Sequence, residues 1–239
     1  VTELEELKNS SKQSHEHLNC MSSYISDKTE LMCNLLLTKQ FIEQDKITFN
    51  YSLTTSGITA SNIAEVHGLI MSECLEESSF FSSFDACQII SILSIFSDIK
   101  VGDDLKSSVP VTKNYDVKYM INKFRDKHEE YAIYECDHLI NSGFDYDNAL
   151  IYDMIDPLQS WCMLTTEQEC KYFAQTVLQP LEVGLGDFTK GVLKISAIAK
   201  ELYKIAELRG EAELQYKLTQ VDSHLLKFVA TSQSLYTGI

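Results

Sequence analysis

The chain has 239 residues, and 20 Lys+Arg against 35 Asp+Glu give it a formal net charge of −15. That balance excludes a generally basic protein that coats nucleic acid, but not a local basic face on an acidic body. With 44 % hydrophobic residues and only 9 Gly and 3 Pro, the chain is globular and short of the turn chemistry that a strand-rich sandwich or barrel needs.

In chain order, residues 3–20 are polar, with Leu4, Leu7 and Leu18 as anchors, and read as the tail of a helix running into a loop. Helical spacing of Leu31, Leu35, Phe41 and Ile42 predicts a helix from Lys28 to Gln44. Ile47, Phe49, Tyr51 and Leu53 then alternate with polar residues, which predicts one short strand or hairpin near 47–53, ended by Gly57. Ser61 or Asn62 is the expected cap of a helix reaching Leu75. A helix from Phe84 to Asp98 is apolar enough to be buried on most sides, and 99–113 is the clearest loop. Helices are expected over Tyr115–Asn141, Asp147–Met163 and Thr166–Leu178, the last closed by Gln179-Pro180. Asp187–Arg209 is a strong amphipathic helix punctuated by Gly210, and Glu211–Tyr236 is another. The fold class is therefore mainly α, a multi-helix bundle. Residues 1–56 form an entry segment and 57–239 the bundle.

Seven cysteines (Cys20, Cys33, Cys74, Cys87, Cys136, Cys162, Cys170) are an odd number without a Cys-x-x-Cys pair. Free thiols in a reducing, intracellular compartment are expected rather than a disulfide framework. The longest apolar stretch, Ile89 to Phe96, is far short of the roughly 18–20 residues of a membrane span, so no membrane partner is expected. The chain opens on Val1 with no signal pattern, which reads as a piece of something longer.

On a 100° wheel, Phe188, Val192, Ile195, Ala199, Leu202 and Ala206 form one apolar face of the 187–209 helix. Lys190, Lys194 and Lys204 lie close to one line opposite, with Lys200 at the flank. With Arg209 against Asp187, Glu201 and Glu207, the segment has a local excess of basic residues in an acidic chain. Such a face can meet phosphates without reading sequence, in a salt-sensitive way; taken by itself, it is more simply a solvated surface stripe.

The last fifty residues carry a resemblance. Gly186-Asp-Phe-Thr-Lys-Gly-Val-Leu-Lys-Ile, Ala206-Glu-Leu-Arg-Gly-Glu-Ala-Glu-Leu and Phe228-Val-Ala-Thr-Ser-Gln-Ser-Leu-Tyr236 resemble the end of the superkiller/exosome-associated DExH RNA helicases, a helical domain known as DSHCT. Gly57-Ile-Thr-Ala-Ser-Asn-Ile-Ala-Glu-Val-His67, the stretch Leu69 to Phe96, Trp161, and the opening Leu4-Glu-Glu-Leu with Ser14-His-Glu-His-Leu fall in the family's order. The resemblance implies a C-terminal bundle against two RecA-like motor domains, guiding or clamping single-stranded RNA, in RNA processing or decay with exosome or adaptor proteins. It implies that the 187–209 helix is the ratchet helix, with Lys190 and Lys194 as the leading RNA contacts; the wheel adds Lys204 and Lys200 to the same face. Lys190 stands where the family has Arg, so a less oriented phosphate contact is expected. Ala197 takes the place of an acidic residue, and Leu185 that of the Glu before the family's Gly. No phosphate-binding loop or DExH box is present, so ATP and magnesium belong to the parent's motor domains and this chain has no cofactor or catalytic residue of its own.

The remaining constellations read as structural. His15 and His17 with Cys20 lack a second half-site for zinc. Cys136 and His138, Glu76 with Glu77, and Asp103 with Asp104 are surface features; Glu65-x-His67 suits capping; Asp145 and Asp147 suit a helix start; Trp161 suits the core. The competing functional class is a stand-alone helical interaction module whose acidic surface binds a basic protein.

Overall fold

A computed structural model describes residues 2–228, with the side chains of 2–7 and Cys20 set aside. Helix α1 (Thr2–Thr38) opens the chain. Between 20 and 27, where a loop is expected from the lack of apolar anchors, the helix is continuous. No Gly or Pro interrupts residues 2–38, so nothing breaks the backbone even though residues 8–19 and 21–27 are exposed.

The hairpin pairs β1 (Ile42–Gln44) with β2 (Tyr51–Leu53), antiparallel, in the register Ile42↔Leu53, Glu43↔Ser52 and Gln44↔Tyr51. The expected strand is thus only half a strand: Ile47 is 87 % exposed and Phe49 69 % exposed, both in the connecting loop. Asp45 closes that loop by accepting the N–H groups of Ile47 at 2.8 Å and Thr48 at 2.7 Å, an Asx turn that overrides the alternation. The helix predicted to reach Gln44 ends six residues earlier, and its last residues form β1 instead.

The single helix expected over Ser61–Leu75 is two, α2 (Thr55–Ser61) and α3 (Gly68–Glu77). Thr54 caps α2, Asn62 sits at its C-terminal end, and His67 caps α3 by accepting from the Ile70 N–H. Helix α4 (Ala86–Leu93) starts on a capping box between Asp85 and Gln88 and runs into a 3₁₀ turn, Ser94–Phe96. It is buried at Ala86, Cys87 and Ile89 through Leu93, the all-round burial its composition requires. Residues 99–113 hold only a 3₁₀ turn at Asp103–Leu105.

Helix α5 (Tyr115–Asp137) is capped by Asn114, and α6 (Ile155–Met163) follows an irregular stretch. Asp145 and Asp147 therefore lie in that stretch and not at a helix start. Pro157, the third residue of α6, suits a first turn. After α7 (Glu167–Phe173), the chain makes a π-type turn at Ala174–Leu178. Helix α8 (Leu185–Arg209) ends on Gly210 at φ 73°, the left-handed cap that glycine favours. Two short helices, α9 (Ala212–Thr219) and α10 (Val221–Leu225), replace the expected long one; the closing Ser-Leu-Tyr236 lies outside the described residues.

The core centres on α4, which packs on α5, α6, α8 and α10. Trp161 packs its ring 5.3 Å from Phe173 and 5.0 Å from Phe188, joining α6, α7 and α8. No helix among the described residues is long and apolar enough to cross a membrane.

Candidate nucleic-acid interface

The inward face of α8 is the one the wheel assigns: Phe188, Val192, Ile195, Ala199, Leu202 and Ala206 are all buried. Ile198, Ile205, Ser196 and Gly191 are buried as well, so the helix sinks deeper than one stripe. At Gly191 an added Cβ would stand 2.1 Å from Ile99 Cγ1, because residues 97–99 cross the helix there.

That crossing decides what the lysines meet. Lys190 is 76 % exposed at its side chain, with Nζ 3.6 Å from Asp187 Oδ1. Lys194 is only 28 % exposed, and its ammonium is held by the carboxylate of Asp98. Lys200 Nζ lies 3.2 Å from Asp222 Oδ2, a carboxylate that also accepts from the Ser196 hydroxyl. Lys204 is exposed and makes no ion pair among the described residues. Between Lys194 and Lys204, Glu201 turns onto the 62–67 turn and accepts the N–H groups of Ala64 at 3.1 Å and Glu65 at 3.2 Å. The stripe is therefore punctuated by carboxylates. Arg209 faces away from the stripe: it pairs with Glu76 at 2.7 Å, donates to Thr59 and lies 5.0 Å over the Phe80 ring.

The 97–100 segment brings in Lys100, which the sequence places in a loop and gives no role. It is exposed and, with Lys190 and Lys194, lines a hollow of about 410 Å³ floored by Gly191. A second hollow of about 510 Å³ shares Asp98, Lys100 and Lys194 and extends to Phe144 and Asn148. Nothing local in the sequence announces these contacts, since Lys194 and Asp98 are 96 residues apart.

The other candidate residues have structural roles. His67 Nδ1 takes the Ile70 N–H, so Nε2 carries the proton and donates to Tyr146 at 3.2 Å; Tyr146 in turn donates to Glu135 at 2.7 Å. Burial, helped by the neighbouring His128, lowers the His67 pKa to about 4. His128 is 4 % exposed, donates from Nδ1 to the Phe124 carbonyl at 2.7 Å, and leaves a buried Nε2 without a partner among the described residues. Glu77 pairs with Lys123 and Lys127, and Asp103 with Lys106. His138 stacks on Tyr134 at 4.1 Å, while Cys136 is exposed. His15 and His17 are exposed on α1. No cluster of three or more metal-ligand side chains occurs among the described residues.

The family model described as the DSHCT (NUC185) domain matches residues 50–232. No curated protein matches the chain.

Proposed function

The chain belongs to the DSHCT family, a helicase-associated C-terminal region, and from that premise we propose that it guides or clamps single-stranded RNA behind the RecA-like motor domains of an ATP-dependent helicase. In this reading ATP and magnesium act in the motor domains, exosome or adaptor proteins are further partners, and this chain supplies only a surface. The observation that carries the reading is the outward row of Lys190, Lys194, Lys200 and Lys204 on a helix whose other face is locked in the core. Lysine ammonium groups meet phosphate as point charges, so contact is sequence-independent and falls with salt. Lys190 and Lys204 are the readiest donors; Lys194 and Lys200 must first leave Asp98 and Asp222.

The test is binding of a fluorescent single strand of about ten nucleotides at low and moderate salt. With at most four lysines engaged, the slope of log affinity against log salt is expected to be no steeper than about −3. Lys190→Ala/Lys194→Ala, and separately Lys204→Ala, should each weaken binding. No binding by the folded chain joined to its motor domains would overturn the clamp. One observation favours a second reading: Asp187, Asp98 and Asp222 already engage three of the four lysines. An acidic helical module that binds a basic protein partner suits such a surface.

A further inference from the structure

We propose that the groove between residues 97–100 and the second and third turns of α8 is a site for one phosphate group, with Lys100, Lys190 and Lys194 as its cations and Asp98 as the carboxylate that the phosphate displaces. The source of that phosphate, the backbone of single-stranded RNA, rests on the clamp reading; the chemistry of the groove would accept a free phosphate or pyrophosphate equally.

Three observations carry it. The three lysines come from two separate elements and line one hollow of about 410 Å³, and Gly191 lets residues 97–99 lie close against α8 beside it. The carboxylates lining that hollow are Asp98 and Asp187. Asp187 is itself exposed and makes only a loose pair, at 3.6 Å, with Lys190, and Lys100 makes no ion pair among the described residues. Asp98 occupies a left-handed backbone position, φ 57°, which Asp and Asn tolerate better than other side-chain-bearing residues, and from there its exposed carboxylate holds the half-buried Lys194.

The exchange is electrostatically even. A half-buried ammonium left without an anion is costly, so Lys194 keeps a counter-anion at all times, and a phosphodiester carries the same single charge as Asp98. When the phosphate enters, Lys194 changes partners and Lys190 and Lys100 gain one. Asp98 is exposed and returns to water. Asp98 thus sets the threshold for anion entry: with it ionised, only a ligand that also engages Lys100 and Lys190 gains by the exchange.

The test compares the chain with Asp98→Asn, Lys100→Ala and the double variant, using the same fluorescent RNA at one low salt concentration. Asn keeps the left-handed turn and removes the charge. Asp98→Asn should tighten binding about fivefold and steepen the salt slope by about 0.7. Lys100→Ala should weaken binding by a similar factor, and the double variant should lose the gain. Where RNA binds, unchanged or weaker binding by a folded Asp98→Asn, or no effect of Lys100→Ala, would overturn the site. A second arm measures thermal stability with inorganic pyrophosphate, expected to raise the melting temperature of Asp98→Asn more than that of the double variant. A Lys100-dependent pyrophosphate shift with no RNA binding, by the chain alone or joined to its motor domains, keeps the groove and removes the clamp. The absence of both removes the groove.

Discussion

Gly191 and Ile99 set how closely α8 approaches the turn behind the basic groove. A Cβ at position 191 would stand 2.1 Å from Ile99 Cγ1, 2.5 Å from Cδ1 and 3.0 Å from the Ser97 carbonyl oxygen. Ile99 is fully buried, so its side chain has nowhere to go, and the Ser97 contact is backbone.

Gly191→Ala is therefore expected to destabilise the chain despite the better helix propensity of alanine. Propensity favours the change by about 1 kcal/mol, whereas overpacking in a closed core costs up to about 3 kcal/mol. The net loss of about 2 kcal/mol should lower the melting temperature by roughly 4–8 °C for a chain of this size. Thermal unfolding followed by circular dichroism measures it, and an unchanged or raised midpoint would show that the crossing relaxes freely. The same variant should push residues 97–100 outward and loosen the Lys194–Asp98 pair.

Trp161 ties α6 to α10. Its indole Nε1 donates to the Leu225 carbonyl at 3.0 Å, in a site where the tryptophan is 1 % exposed. Trp161→Phe keeps an aromatic ring against Phe173 and Phe188 but removes that donor, leaving the Leu225 carbonyl with the Lys227 N–H at 3.2 Å. The lost hydrogen bond costs about 1 kcal/mol, and the volume left by the smaller ring adds to it. Urea unfolding should show a lower midpoint with an unchanged slope, and an unaltered midpoint would mean that another donor reaches Leu225.

Lys127 and Lys39 knot the end of α1 to α3 and α5. Lys127 Nζ lies 3.2 Å from Glu77 and 3.6 Å from Glu130 and also pairs with Glu73. Lys39 pairs with Glu73 and Glu130, and the Tyr131 hydroxyl donates to Glu73 at 2.6 Å. The Glu73 side chain is only 14 % exposed, so removing Lys127 leaves a poorly hydrated carboxylate with Lys39 at 3.6 Å as its remaining cation. Lys127→Met should cost about 2 kcal/mol, while Lys123→Met, on the exposed Glu77 alone, should cost under about 1 kcal/mol. Equal losses in the two variants would show that Glu73 relaxes to water.

The parts of the fold that face the core were legible in the sequence. The apolar stripe of α8, the all-round burial of α4, and Gly210 as a stop follow from periodicity and backbone conformation. The length of α1 was not legible, because residues 8–19 and 21–27 are exposed and carry no core-facing pattern to read. The break between α2 and α3 was missed because Asn62 ends one helix and His67 starts the next within a few residues, inside a run of helical composition. The candidate interface divides in the same way. The lysines are visible on a wheel, but the carboxylates of Asp98, Asp222 and Glu201 acquire their meaning from tertiary contacts, as does Lys100. An excess of basic residues along one helix did not reveal how far the fold compensates it.

His67 gives the chain an acid-sensitive step. Its pKa falls to about 4 against about 6.5 unfolded, and burial also depresses His128, whose ring lies 6.4 Å away. Below pH 6.5 the unfolded chain takes protons that the folded chain refuses, so stability is full above that value and declines as pH falls toward 4. His67 alone should remove about 2 kcal/mol between pH 7.5 and pH 5, with His128 adding in the same direction. Two carboxylates act on His67: Glu135, linked through Tyr146, and Glu73 on the next turn of α3, bonded to Tyr131; both favour its charged form. The Glu135 pKa is itself lowered, so its own contribution is lost only under more acidic conditions, below the window chosen. His67→Asn keeps an N-cap for α3 and cannot titrate. It should be less stable at pH 7.5 through lost ring packing against Phe144, at 4.8 Å, yet show a shallower fall toward pH 5. Urea unfolding at three pH values separates the two effects. A slope identical to that of the unmodified chain would place the acid sensitivity elsewhere, with His128 as the remaining buried imidazole.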